Sequence, residues 1–103
     1  MTAAYLVIYE GRPQDPGAFL QYYIDTHVPI IWTWPSIRNV ELELGDDGGD
    51  FFMIARFTFD SIQDLRAALT SPQREHARAD REQFPPFHGT IRHQAVRIRQ
   101  VTA

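Results

Sequence analysis

IRNVELELGDDGGDFFMIARFTF, residues 37–59, is the stretch from which the fold can be read. Ile37 to Leu44 alternates, with Val40, Leu42 and Leu44 on one face and Asn39, Glu41 and Glu43 on the other. That period of two is a strand with one wet side, as at a sheet edge. Gly45 to Asp50 is a turn whose glycines permit positive φ, and Phe51 to Phe59 returns as a second strand, giving an antiparallel hairpin.

On either side of this hairpin the chain repeats a strand and a helix. Ala3 to Glu10 (AAYLVIYE) has the length and the Tyr, Val, Ile and Leu content of a strand, and Gly11 and Pro13 are expected to end it. Asp15 before Pro16 is a helix start: Asp caps free N–H groups, and the fixed φ of proline suits the first helical position. Phe19, Tyr23, His27 and Ile30 follow at helical spacing, and Pro29 predicts a kink or an end near that point. Ser61 with Asp64 opens a second helix that buries Ile62, Leu65 and Leu69. Ser71-Pro72 starts a polar helix through Phe84. Thr90 to Val101 closes the chain as a strand, and its apolar parity changes at Ala95/Val96, which predicts a bulge or a strand touching two surfaces. The order β-α-β-β-α-β is the α+β, ferredoxin-like plan, a single domain over residues 1–103 with a four-stranded antiparallel sheet. The first and third strands are apolar on both faces, whereas two helices cover only one. The second face is therefore expected to pair with another copy, giving a homodimer through the sheet face.

Composition narrows the chemistry. The chain has 103 residues, is 44% hydrophobic, carries a formal net charge of −3 and contains no Cys. All ten basic residues are Arg. Disulfides, thiolate nucleophiles and lysine Schiff bases are thereby excluded, and any cationic site must use guanidinium. Arg residues are scattered and the balance is acidic, so nucleic acid is not an expected partner. Met1 to Ala4 has no basic leader and no apolar run approaches membrane-spanning length, so no membrane partner and a cytoplasmic location are expected. No histidine pair sits at ligand spacing with a carboxylate, so no metal is expected. No glycine-rich phosphate loop precedes a helix, which leaves a dinucleotide cofactor unsupported.

Tyr23 and His27, four residues apart, put a phenol and an imidazole on one helix face. Imidazole exchanges protons near neutral pH and a phenol donates to a developing oxyanion, a pairing suited to enolisation beside a carbonyl. A buried structural histidine, bonded to a carbonyl freed by Pro29, accounts for the same residues. Arg38 and Arg56 lie on strands, where each binds a substrate carboxylate or forms a salt bridge with Glu41 or Glu43. His88, after Pro85-Pro86-Phe87, closes a pocket mouth or caps the last strand. Asp25 and Asp80 have no partner in sequence and are expected at the solvated surface.

The segment Phe19-Leu20-Gln21-Tyr22-Tyr23-Ile24-Asp25-Thr26-His27-Val28-Pro29-Ile30 resembles the EthD family of dimeric α/β-barrel proteins. Trp34-Pro35-Ser36-Ile37-Arg38, Ser71-Pro72 and Ala79-Asp80 through Phe84 extend the resemblance over nearly the whole chain. Trp32-Thr33-Trp34 and Phe84-Pro85-Pro86-Phe87-His88 are heavier than the family pattern and would reshape a pocket. The resemblance implies a dimeric α/β barrel and a cofactor-independent enzyme acting on a small apolar carbonyl, lactone or polyketide-like compound. It implies catalysis of isomerase, cyclase or decarboxylase type, with His27 as acid/base and Tyr23 or Tyr22 as orienter. The implied pocket is lined by Phe19, Trp32, Phe57, Phe84 and Phe87, with Arg38 and His88 as further candidates. A non-catalytic small-molecule-binding accessory protein and a cofactor-free monooxygenase are the other functions considered.

Overall fold

The computed structural model describes residues 1–103. Its strands are β1 (Ala3–Pro13), β2 (Ile37–Leu44), β3 (Phe51–Phe59) and β4 (Phe87–Arg97). They form one antiparallel sheet in the order β2-β3-β1-β4. Helices α1 (Pro16–Tyr22) and α2 (Val28–Ile31) are joined by a π-helical segment, Tyr23–His27; α3 (Ile62–Leu69) and α4 (Pro72–Asp80) follow β3, and a 3₁₀ turn (Arg81–Gln83) leads towards β4. No helix is long and apolar enough to cross a membrane. The ferredoxin-like plan holds, but the expected barrel does not: β2 and β4 are the two edges of an open sheet, separated by β3 and β1.

The helix starts follow their capping residues. Asp15, Ser61 and Ser71 each accept a backbone N–H three residues on, from Ala18, Asp64 and Arg74. On the sheet, Tyr5, Val7, Tyr9, Met53, Ala55, Phe57 and Phe59 lie under the helices with Phe19, Tyr23, Ile31 and Leu65, and all are buried. Each fully buried side chain of this size contributes about 1.5–3 kcal/mol relative to exposure. The opposite face shows Leu6, Ile8 and Ile54, only half-buried.

β1 does not end at Gly11. It continues to Pro13 because Gly11 faces Gly89 across β4, both at positive φ, and the pairing runs on through Arg12↔His88 to Pro13↔Phe87. β4 correspondingly begins at Phe87, not Thr90, and ends at Arg97. No bulge accompanies its parity change, since the register with β1 is continuous. Ala95 pairs with Tyr5 on the helix side and Val96 with Ala4 on the other, so the strand touches two surfaces. The register between β1 and β3 shifts instead at Tyr9/Glu10, which face Met53 and Phe51 and leave Phe52 as the extra residue on β3.

Candidate functional site

The π-helical turn brings the site together. Pro29 has no N–H to offer the Asp25 carbonyl, and the turn before it widens, with the Val28 N–H donating to the Tyr23 carbonyl five residues back. Tyr23 and His27 both turn inward, their rings 4.9 Å apart, and both are buried. Phe84 packs edge-on against the imidazole at 4.7 Å.

α4 supplies the partner. Asp80, at its last position, accepts from the Tyr22 hydroxyl at 2.6 Å through Oδ1 and lies 2.8 Å from His27 Nδ1 through Oδ2. Its side chain is only 10% exposed, so the expectation of a solvated carboxylate is corrected: Asp80 bridges the end of α4 to Tyr22 and His27. A carboxylate only accepts, so Nδ1 carries a proton, and in the neutral ring Nε2 keeps its lone pair. Burial lowers the His27 pKa below its ordinary value; Asp80 opposes this with its hydrogen bond and charge, and the Arg81 charge adds to the lowering. Donation to Asp80 raises the Tyr22 pKa. Burial raises Tyr9 to about 12 and holds Tyr23 well above the ordinary phenol value, so both remain donors at neutral pH.

Between helices and sheet lies a cavity of about 30 Å³, lined by Tyr9, Tyr23, His27, Trp34 and Phe57 among others, with Arg74, Arg78, Arg81 and His93 on the side of α4 and β4. Two buried donors there are underused: Trp34 Nε1 has no hydrogen-bond partner, and the Tyr23 hydroxyl makes no bond of standard geometry, its one polar neighbour being the Tyr9 hydroxyl. Leaving such a group unpaired costs about 1–3 kcal/mol. The cavity adjoins a groove of about 430 Å³ that shares Arg78 and Arg81 with it and is walled by Phe84 and Phe87.

Of the residues singled out in the sequence, His27, Tyr23 and Phe57 meet at this cavity. Phe19 lies in the core behind Tyr23, in contact with Phe84 and Phe87. Tyr22 stands behind Asp80, not at the cavity. Trp32 is 46% exposed, and it is Trp34 that enters the lining. Arg38 lies at the surface, paired with Asp60 at 2.8 Å, and Arg56 pairs with Glu43 at 3.0 Å. His88 is exposed opposite Arg12. The sequence reading put Asp80 at the surface, chose Trp32 over Trp34 and passed over the arginines of α4 and the turn after it; the signal available for the last was their recurrence at positions 74, 78 and 81, one helical face. No group of three or more His, Asp or Glu side chains converges anywhere in the chain.

No family model matches the chain. It is 30% identical over 83 residues to an uncharacterised 11.0 kDa protein of the thcB–thcC intergenic region of Rhodococcus erythropolis, covering 77% of this chain and 81% of that protein. Among solved structures, an ethyl tert-butyl ether D (EthD) family protein from Bacillus halodurans superposes with a TM-score of 0.80 at 20% identity, over 96% of this chain and 100% of that one. A dimeric ferredoxin-like protein of unknown function from Bacteroides fragilis gives 0.63 at 16% identity, over 94% and 96%. A cofactor-independent oxygenase from Streptomyces nogalater gives 0.68 at 16% identity, over 97% and 95%. The chain belongs to one family with the Rhodococcus erythropolis protein, and its fold is that of the EthD family, as the Tyr22-Tyr23 to Pro29 segment suggested.

Proposed function

We propose that this protein is a small-molecule enzyme that works by proton transfer without a cofactor, on a compound with an enolisable carbonyl such as a small ketone or lactone. The observation that carries the reading is the His27–Asp80 pair: a buried imidazole held through Nδ1 at 2.8 Å, whose Nε2 takes no protein partner beside the cavity. His27 Nε2 takes a proton from the carbon next to the carbonyl. The bonding pair of that C–H moves into the carbon framework and the charge collects on the carbonyl oxygen. Tyr23 O–H and Trp34 Nε1–H donate to it, and His27 returns the proton to the same carbon or, where the compound carries a β,γ double bond, to the γ-carbon as that double bond moves next to the carbonyl, an isomerisation with no net redox change. The fold is shared with a cofactor-independent oxygenase, which is consistent with a site of this kind. In deuterium oxide the wild-type protein is expected to speed deuterium entry next to the carbonyl of small ketones and lactones above the buffer rate. If compounds bind but exchange only at the buffer rate, the protein is a binder and not this enzyme.

We infer also that two copies pair through the outer sheet face. Leu6, Ile8 and Ile54 form its apolar strip, bordered by the ion pairs Arg56–Glu43 and Arg92–Glu10. A two-fold axis lets the strip cover itself while rim arginines meet rim glutamates. The similarly folded Bacteroides fragilis protein is dimeric. Sedimentation should give a dimer at micromolar concentration and a monomer for Ile54→Asp; a monomeric wild type contradicts the pairing.

A further inference from the structure

The helix that holds His27 through Asp80 also lines the cavity with three cations. Arg74, Arg78 and Arg81 recur at i, i+4 and i+7 along α4 and the 3₁₀ turn, so they share one face, and all three border the same cavity as His27 and Tyr23. None of them is paired with a carboxylate that lines the cavity. Arg81 makes no side-chain hydrogen bond or ion pair, while Arg74 makes only long contacts, to the Leu69 carbonyl at 3.4 Å and the Tyr5 hydroxyl at 3.5 Å. Arg78 reaches Glu75 at 3.7 Å, an exposed pair that is easily exchanged. No Asp or Glu lines the cavity; Asp80 stands behind His27 with its charge taken up by two hydrogen bonds, and Glu82 lines the adjoining groove. Its buried polar atoms without partners, Tyr23 Oη and Trp34 Nε1, are both donors. A chain with net charge −3 thus encloses a space furnished with donors and guanidinium groups. What fits it is a group rich in acceptors and negatively charged. The adjoining groove is walled by Phe84, Phe87 and Ile91, so the rest of the ligand is apolar.

Resting on the proton-transfer reading above, we propose that the substrate is a carboxylate: a small, otherwise apolar carbonyl compound whose carboxylate is held by Arg81 and Arg74 at the mouth of the cavity. The guanidinium fork matches a carboxylate in two parallel hydrogen bonds, which fixes the carbon acid relative to His27 as well as binding it. The groove shared by Arg78 and Arg81 gives the apolar body room beyond the cavity itself.

Calorimetric titration with benzoate and its neutral isostere benzamide tests this without any need for turnover. Benzoate should bind about tenfold or more tightly than benzamide, a difference of about 1.4 kcal/mol, and the preference should shrink as salt is added. Arg81→Gln, at an exposed position whose side chain makes no hydrogen bond or ion pair to lose, should remove most of that preference and weaken benzamide binding far less than benzoate binding. Equal affinities for the two probes, or an unaltered benzoate affinity in Arg81→Gln, overturn the proposal. Inorganic phosphate binding as tightly as benzoate also overturns it, since the site would then take a bare anion. These results concern charge preference alone, so they fail separately from the deuterium-exchange test of catalysis.

Discussion

His27→Ala is expected to slow deuterium exchange by about 10²- to 10⁴-fold, the range that a positioned general base supplies. The loss follows from three features of the site. His27 Nε2 is the one imidazole nitrogen at the cavity that is both buried with its residue and left free by the partner of the other nitrogen. The phenols of Tyr9 and Tyr23 are held protonated by burial and cannot replace it as base. His93, the other histidine of the lining, lies on β4 with no carboxylate to orient it, and burial followed by the charges of Arg81, Arg74 and Arg78 lowers its pKa. Because removing a buried ring also leaves a cavity, His27→Gln is the companion variant; it fills the space and should lose activity to a similar extent. Asp80→Asn should lose activity by another route: an amide can donate to Nδ1, which moves the imidazole proton to Nε2 and blocks the base. Unchanged exchange rates in His27→Ala and His27→Gln would remove His27 from the chemistry.

Gly89→Ala should destabilise the fold by about 3 kcal/mol or more, through positive-φ strain and a steric conflict together. A Cβ at Gly89 would stand 2.0 Å from the Glu10 carbonyl oxygen and 2.9 Å from the Gly11 Cα, both of them backbone that no rotamer change can move. The residue also has φ +151°, a conformation that L side chains rarely adopt. β1 and β4 must separate at this point, and with them the pairing from Gly11 to Pro13 that leads the chain into α1. Chemical denaturation of the variant reads the loss directly. A midpoint equal to that of the wild type would mean the two strands do not meet as described.

The sequence was most legible where a feature is local. The 37–59 hairpin has the ends its alternation implied, because period-two patterning and a glycine turn are written within one segment. The helix starts at Asp15, Ser61 and Ser71 were readable for the same reason. Features that depend on distant partners were not. Gly11 reads as a strand end until Gly89 is seen opposite it. Asp80 reads as a surface acid because Tyr22 and His27, which bury it, lie 58 and 53 residues earlier. Pro29 announced a disturbance of the helix, but a wide turn and a break are alike in sequence. Two tryptophans two residues apart gave no indication of which would face inward; the turn after α2 buries Trp34 and leaves Trp32 outside. The open sheet follows from the strand order, since one chain places β2 and β4 at opposite edges.

The proposed chemistry depends most on the state of His27, which two-bond proton–nitrogen NMR spectra of the histidines, followed from neutral to acidic pH, report without reference to any substrate. The prediction is a neutral ring with its proton on Nδ1 and a titration midpoint below 6.5, because burial outweighs Asp80. The folded state then binds fewer protons than the unfolded one as acid is added. Stability from this group is complete above the unfolded pKa and is lost as pH falls through the folded value. A proton on Nε2, or a midpoint above 6.5, would contradict a poised base held by Asp80.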